Sequence, residues 1–509
     1  MNSSDQKKTP KHSDIGKMAK GSVLVGAGDL LGNLFFYVNS VIITRTIGAD
    51  LYGLFFLGNI IALIGSMIAR LGLDYSILRF VALFKGRNQR ERIFKTVNSG
   101  LVISILAGII VVLIIGVLAP YLAKSVFRKP QLVSVIILLA AGIPFTNIIA
   151  MLVNLFLGLN QVKFKVLIEN IMLPLIKLLL IILLFKSGMQ LRGVVYATIG
   201  SAFLVAVYGL FFTTRRFPQI RNSGFENNKK LMSFSLPILG ESILNYIISW
   251  IDILILGYYA SSAEVGILGI VYRISIVLVF VQYSFNAIFS PMISELYGTN
   301  RLCRLEQLFK LQTRWAFSFT LPLLILIILF PSHIMQVFGN SFVDGALALV
   351  IISIGRFSDT VVGASGLMIM MIGKPKINTI NSLIILIIKI ILNIILIPKF
   401  GLLGAAFAGA VSILLMDIMR VCEVYYILKI HPYSIKFIKP LIAAAASFAV
   451  ISLVTNKSGS ISTTIPELIL YAALFLGSYF SVLYFLKLDE QDEFVLKSFY
   501  SKFMARFNN

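Results

Sequence analysis

Fourteen apolar runs of roughly 20 residues, the length a helix needs to cross a bilayer, follow one another along this chain. They lie at 22–44, 52–73, 97–119, 132–157, 164–185, 191–212, 231–257, 265–290, 315–332, 345–371, 378–397, 402–427, 437–454 and 466–486. Backbone inside lipid must satisfy its own N–H and C=O groups, and strands that close into a barrel need only about half this length per crossing. The expected fold is therefore an all-α polytopic membrane protein with about fourteen transmembrane helices. Composition agrees: 58% of residues are hydrophobic, where soluble domains run at about 45–50%. The turns between runs are short, the longest lying near 79–96, 213–230 and 295–314, so no soluble domain is inserted.

Charge orients the bundle. The chain carries 45 Lys and Arg against 22 Asp and Glu. With the N-terminus placed in the cytoplasm, 31 of the basic residues fall on that side, gathered in the tails and in stretches such as 79–95 and 215–230. Eight fall on the other side, and Arg70, Lys177, Arg273, Arg356, Lys389 and Arg420 fall within or at the edge of runs. Under the positive-inside rule both termini are cytoplasmic, in a multi-pass protein of the cell membrane. Residues 1–20 read as a basic tail, since no short apolar core with a small-residue cleavage site follows them.

Polar residues inside the runs form a pattern. Asp29, Asn33, Tyr37, Ser40 and Thr44 recur every three or four residues, which puts them on one helix face. Glu241, Asn245, Ser249 and Asp252 repeat that spacing in the seventh run, and three pairs share an offset of 212 residues: Asp29 with Glu241, Asn33 with Asn245 and Ser40 with Asp252. Lys177 and Lys389 share it too, while Lys163 with Lys376, Lys186 with Lys399 and Gly188 with Gly401 stand 213 apart. Gly193-Val-Val-Tyr-Ala echoes Gly404-Ala-Ala-Phe-Ala at 211. Six runs per repeat keep the two halves parallel, related by an axis along the membrane normal. The expected division is a tail at 1–20, six-helix lobes at 21–225 and 226–430, two extra helices within 431–487, and a cytoplasmic tail at 488–509.

Several chemistries are excluded. Two cysteines and three histidines make no zinc spacing or disulfide framework, and no metal site is expected. No Walker motif, G-x-S-x-G or H-E-x-x-H occurs. Basic charge in a chain that is mostly membrane is explained by anchoring rather than by nucleic acid. A membrane-embedded glycosyltransferase or polymerase would carry a long or carboxylate-rich outer loop, and the outer loops here are short, with Asp50, Glu264, Asp344 and Glu467 as their acids. The chain is not expected to be an enzyme.

The turn Arg45-Thr-Ile-Gly48-Ala-Asp-Leu-Tyr52-Gly53 resembles the one after the first span of polysaccharide transporters in the multidrug/oligosaccharidyl-lipid/polysaccharide exporter superfamily. The stretch from Asn393 through Pro398-Lys399-Phe400-Gly401 to Ala405 is similar to the turn before that family's twelfth span. The resemblance implies a V-shaped bundle of two six-helix lobes with two added helices. It implies a flippase that moves a lipid-linked oligosaccharide across the cytoplasmic membrane by alternating access. The alternatives it leaves open are a cation-coupled multidrug exporter and a lipid II flippase. The expected partners are a polyprenyl-phosphate-linked glycan and membrane lipid, met by a monomer that glycan-assembly enzymes could accompany.

Such a substrate needs a wet, cationic cavity. Arg273, Lys177, Lys389 and Arg70 are the candidates for its anionic head group, because intramembrane cations are costly unless they face protein or water, and guanidinium binds phosphate bidentately. The competing reading pairs Arg70 with Asp74, Arg273 with Glu264 or Asp252, and Arg356 with Asp359. Asp29, Glu241 and Asp252 are candidates to carry a coupling ion, H+ or Na+, in place of any other cofactor. Asn33, Asn245 and Ser40 complete the polar stripe. Gly363-Ala-Ser-Gly366 reads as a small-residue packing surface.

Overall fold

In a computed structural model, residues 12–225, 228–457 and 465–486 are described, and among them every regular element is a helix. Among the described residues, twelve helices are long and apolar enough to cross a membrane. Two of these, Gly28–Arg70 and Pro375–Leu428, each hold two runs, so the helices accommodate all fourteen. The first breaks at Gly48 (φ 74°, ψ 178°) and the second at Gly401 (φ 52°, ψ −126°). Both breaks need the positive φ that glycine supplies without steric cost, and they fall in the two turns expected from the sequence.

Element boundaries differ from the hydropathy pattern in instructive places. The tenth run does not form one helix. Ala346–Val361 and Ser365–Met371 are separated at Gly363, whose φ is 62° and where a Cβ would overlap the Thr313 side chain. The second run stops at Arg70, because Leu71 (φ 52°) and Gly72 (φ 72°) turn the chain before the helix Leu73–Gly86 begins. The basic stretches are largely helical as well, since Leu302–Leu329 starts thirteen residues before its apolar run. Hydropathy marks what prefers lipid, whereas helicity continues through any polar sequence free of breakers.

Packing divides the described residues into two compact units. One holds the chain up to Ile270 with 338–342 and 382–405; the other holds 271–337, 343–381 and the chain from Ala406. The first has apolar clusters built on Leu73, Ile77, Val97 and Leu155, and on Phe156, whose ring stacks on Phe164 at 3.7 Å. The second centres on Phe309, Ile369 and Val424. Lipid is as apolar as leucine, so these contacts stabilise through close fit rather than water exclusion. Glycines allow that fit. A Cβ on Gly28 would overlap Val166, and one on Gly32 would stand 3.2 Å from the Asn170 Cα, which lets the first run lie backbone to backbone on the fifth.

The internal repeat is written into the backbone. Asn88 and Asn300, 212 apart, both adopt φ near 56°, and each closes a helix in the same way: Gln89 N–H reaches the Phe84 carbonyl, and Arg301 N–H reaches that of Leu296, both at 2.9 Å. Asn160 and Gly373, 213 apart, do likewise through Gln161 to Phe156 and Lys374 to Ile369. These are Schellman closures, which need a left-handed residue after the helix. Gly188 and Gly401 also share a positive φ.

Candidate functional site

The break at Leu71–Gly72 decides where Arg70 points. In the last turn of its helix, Arg70 lines a cavity of about 340 Å³ with Asp74 and Tyr75 on one side and Ser242, Asn245, Tyr246 and Ser249 of the seventh run on the other. The seventh run comes this close because a Cβ on Gly72 would overlap the Ser235 carbonyl, while Ser76 and Ser235 share a hydrogen bond of 2.6 Å. The Arg79 guanidinium, 4.1 Å from the Phe234 ring centroid, adds a cation–π contact beside it.

Arg70 is loosely held. Its Nη1 stands 3.5 Å from Asp74 Oδ2, and its Nε donates to the Ser66 carbonyl at 3.4 Å, both at the long limit for such contacts. The Tyr246 hydroxyl is buried without a hydrogen-bond partner among the described residues. The chamber therefore offers a forked cation, a hydroxyl, an amide and two serines around one space, a set suited to phosphate or sugar oxygens.

Asp252 and Lys389, expected in separate roles, form one buried ion pair at 2.7 Å. Asn393 Nδ2 donates to the other Asp252 oxygen at 2.7 Å, and Lys389 also donates to the Ile248 carbonyl at 2.7 Å. Asp29 accepts from Asn170 at 2.8 Å. The bonds Asp29–Asn170 and Asp252–Asn393 both span 141 residues. The first run thus meets the fifth as the seventh meets the eleventh, which the 212-residue repeat requires. Lys177, the repeat counterpart of Lys389, is half-buried with its ammonium 5.2 Å from the Phe55 ring centroid.

The rest of the stripe is satisfied largely within its own helices. Ser40 donates to the Phe36 carbonyl, Thr44 to that of Ser40, Asn245 to that of Glu241 and Ser249 to that of Asn245. Asn33 and Glu241 are exposed. Arg273 is half-buried and belongs to the second unit. In that unit Arg356 stands 3.9 Å from Asp359, as expected, but within a larger cluster: Ser358 donates to Asp417 at 2.6 Å and Arg420 stands 3.5 Å from Asp417.

Sequence reasoning missed Glu169, Asn170, Asp417 and Tyr246. Glu169 lies half-buried in a π-helical stretch, Val166–Met172. An acid inside the fifth apolar run was the available signal.

At the opposite end of the first unit the helices are locked. A Cβ on Gly53 would overlap the Ser262 carbonyl, and one on Gly266 that of Ala49. Ser261 and Glu264 form a reciprocal capping box, with Glu264 N–H donating to the serine hydroxyl and Ser261 N–H to Glu264 Oε2. The other oxygen, Oε1, accepts from Leu402 N–H at 3.1 Å, so one carboxylate caps two helices. Lys129 donates to the Gly257 and Ala260 carbonyls at 2.7 and 2.9 Å, closing the C-terminus of the seventh run.

The model of a family described as "Polysaccharide biosynthesis protein" matches residues 18–297, and that of MatE matches 237–397. A probable low-salt glycan biosynthesis flippase, Agl15 of Haloferax volcanii, is 26% identical over 232 residues, 45% of this chain and 48% of that protein. The chain thus spans about half the length of that relative. Stage V sporulation protein B of Bacillus subtilis is 23% identical over 89% of this chain and 90% of its own. Among solved structures, the lipid II flippase MurJ in an inward closed conformation aligns with a TM-score of 0.70 at 15% identity, covering 91% of this chain and 98% of its own. An inward-facing MATE multidrug transporter aligns at 0.65 and 16%, covering 78% and 94%. Both share the fold.

Proposed function

This chain belongs to the polysaccharide biosynthesis protein family, and from that premise we propose that it is a flippase, translocating a polyprenyl-phosphate-linked glycan across the cell membrane. The observation that carries the reading is the Arg70 chamber: a loosely paired guanidinium beside a tyrosine hydroxyl that has no hydrogen-bond partner among the described residues, within a helical membrane bundle. Phosphate competes well for such an arginine because the bidentate geometry is unused by Asp74. The names of the glycan biosynthesis relatives support the same substrate class. In this reading the protein acts as a monomer with both termini cytoplasmic and performs no covalent chemistry. Of the three candidate coupling acids, Asp29 suits an exchangeable H+ or Na+ better than Asp252, whose charge Lys389 already matches.

The test uses Arg70→Ala, Arg70→Lys and Arg273→Ala, with glycan export and protein abundance measured on the same cells. A phosphate role for Arg70 gives near-complete loss with alanine and partial loss with lysine, at normal abundance. Full export by Arg70→Ala at normal abundance removes the head-group role. Arg273→Ala, in the second unit, reports whether that arginine contributes independently.

A further inference from the structure

The arginine chamber carries no net charge. Among the described residues that line it, Arg70 is the one cation and Asp74 the one acid. Arg79, the next cation along the helix Leu73–Gly86, is not in the lining, and its guanidinium lies over the Phe234 ring. Asp74 is fixed at the wall from two sides. Its Oδ1 accepts from the Tyr75 N–H at 3.1 Å in the first turn of that helix, and its Oδ2 stands 3.5 Å from Arg70. The positive end of the helix is thereby spent on a carboxylate of the protein itself. The Asp74 side chain is only 17% exposed, so bulk water does little to weaken its field. Donors are few as well. Asn245 and Ser249 each give a hydrogen bond to a carbonyl of their own helix, at 3.0 and 2.8 Å. The lining then offers the Arg70 fork, the Tyr246 and Ser242 hydroxyls and the second Asn245 N–H, a set that satisfies the oxygens of one phosphate group.

We propose that the chamber selects a carrier joined to its glycan by a single phosphate over one joined by a diphosphate, and that Asp74 is the residue that enforces the choice. The inference rests on the flippase reading above and names the carrier class within it. A phosphodiester between a prenyl chain and a sugar bears one negative charge, and a diphosphate diester bears two. Arg70 matches the first of these. The second charge sits on the neighbouring phosphorus, inside the same space of about 340 Å³. Once Arg70 has turned to the first phosphate, Asp74 is left facing the second. Like charges repel strongly where water is scarce, and among the described lining residues there is no second cation to offset them. An acid in such a place acts as a repulsive element, one that costs the singly charged carrier little and the doubly charged one much.

The experiment uses the full chain reconstituted in vesicles with two synthetic lipids, undecaprenyl phosphoryl glucose and undecaprenyl diphosphoryl glucose, which differ by one phosphate. Each carries a radiolabel in the sugar, and translocation is followed as loss of the label from the reach of an impermeant oxidant. The expected result is several-fold faster movement of the monophosphate lipid. Asp74→Asn should shift the ratio of the two rates several-fold toward the diphosphate, while Asp74→Glu, which keeps the charge, should hold the ratio near that of the unaltered chain. Asn245→Lys supplies a second cation from the opposite wall and should shift the ratio in the same direction as Asp74→Asn, which tests the charge argument even where Asp74→Asn fails to fold. Equal rates for the two lipids, or faster movement of the diphosphate, overturn the proposal. So does a folded Asp74→Asn chain with an unshifted ratio, since the carboxylate would then only position Arg70. Failure of the flippase reading looks different: neither lipid would move faster than in protein-free vesicles, and both readings would fall together.

Discussion

Lys389 and Asp252 give the sharpest prediction for a single side chain. Both are almost fully buried and each satisfies the other, so removing one leaves an isolated charge, which costs about 3–5 kcal/mol. Lys389→Met should therefore sharply lower the folded yield and thermal midpoint of the detergent-purified protein. The double variant Asp252→Leu/Lys389→Met should recover most of that loss, and equal instability of single and double variants would count against a structural strut. Some of this chemistry was legible in the chain and some was not. Arg356 and Asp359 stand one helical turn apart, so their pairing could be read from spacing alone, whereas Arg70 meets Asp74 across the Leu71–Gly72 turn, which spacing does not reveal. Lys389 finds Asp252 across 137 residues, where spacing says nothing and only the fold supplies the distance.

Helices were easier to place than their ends. The apolar runs mark them because lipid demands about twenty apolar residues per crossing, but lipid demands nothing of the turn between Arg70 and Leu73 or of the break at Gly363. Those depend on close approach: Gly72 to the Ser235 carbonyl, Gly363 to Thr313. Close approach also sets two predictions. Gly53→Ala, which drives a methyl into the Ser262 carbonyl, should destabilise by about 1–3 kcal/mol as overpacking does, read as a lower unfolding midpoint. Glu264→Gln keeps the shape but not the charge of a side chain that caps two helix starts at once. Caps contribute about 1 kcal/mol each, so its midpoint should fall below that of a substitution at the exposed Glu241; an unchanged midpoint would mean the caps carry no stability.

Across the whole chain the repeat was the most legible feature, because duplicated helices keep their turn residues: Asn88 and Asn300 still perform one closure 212 residues apart. The proposed sidedness, with both termini cytoplasmic, rests on charge and is tested directly. With Cys303 and Cys422 replaced by serine, Lys186→Cys should react with an impermeant thiol reagent on intact cells, whereas Arg87→Cys should react only after permeabilisation. The reverse pattern would overturn the proposed orientation. The lysine counterparts Lys177 and Lys389 show what duplication permits. Position 252 carries an aspartate where its twin, position 40, carries a serine, so the eleventh run's lysine is clamped while the fifth run's rests against a ring. The same residue type thus meets an aspartate in one half of the repeat and an aromatic face in the other. The repeat keeps the lysine and changes what holds it.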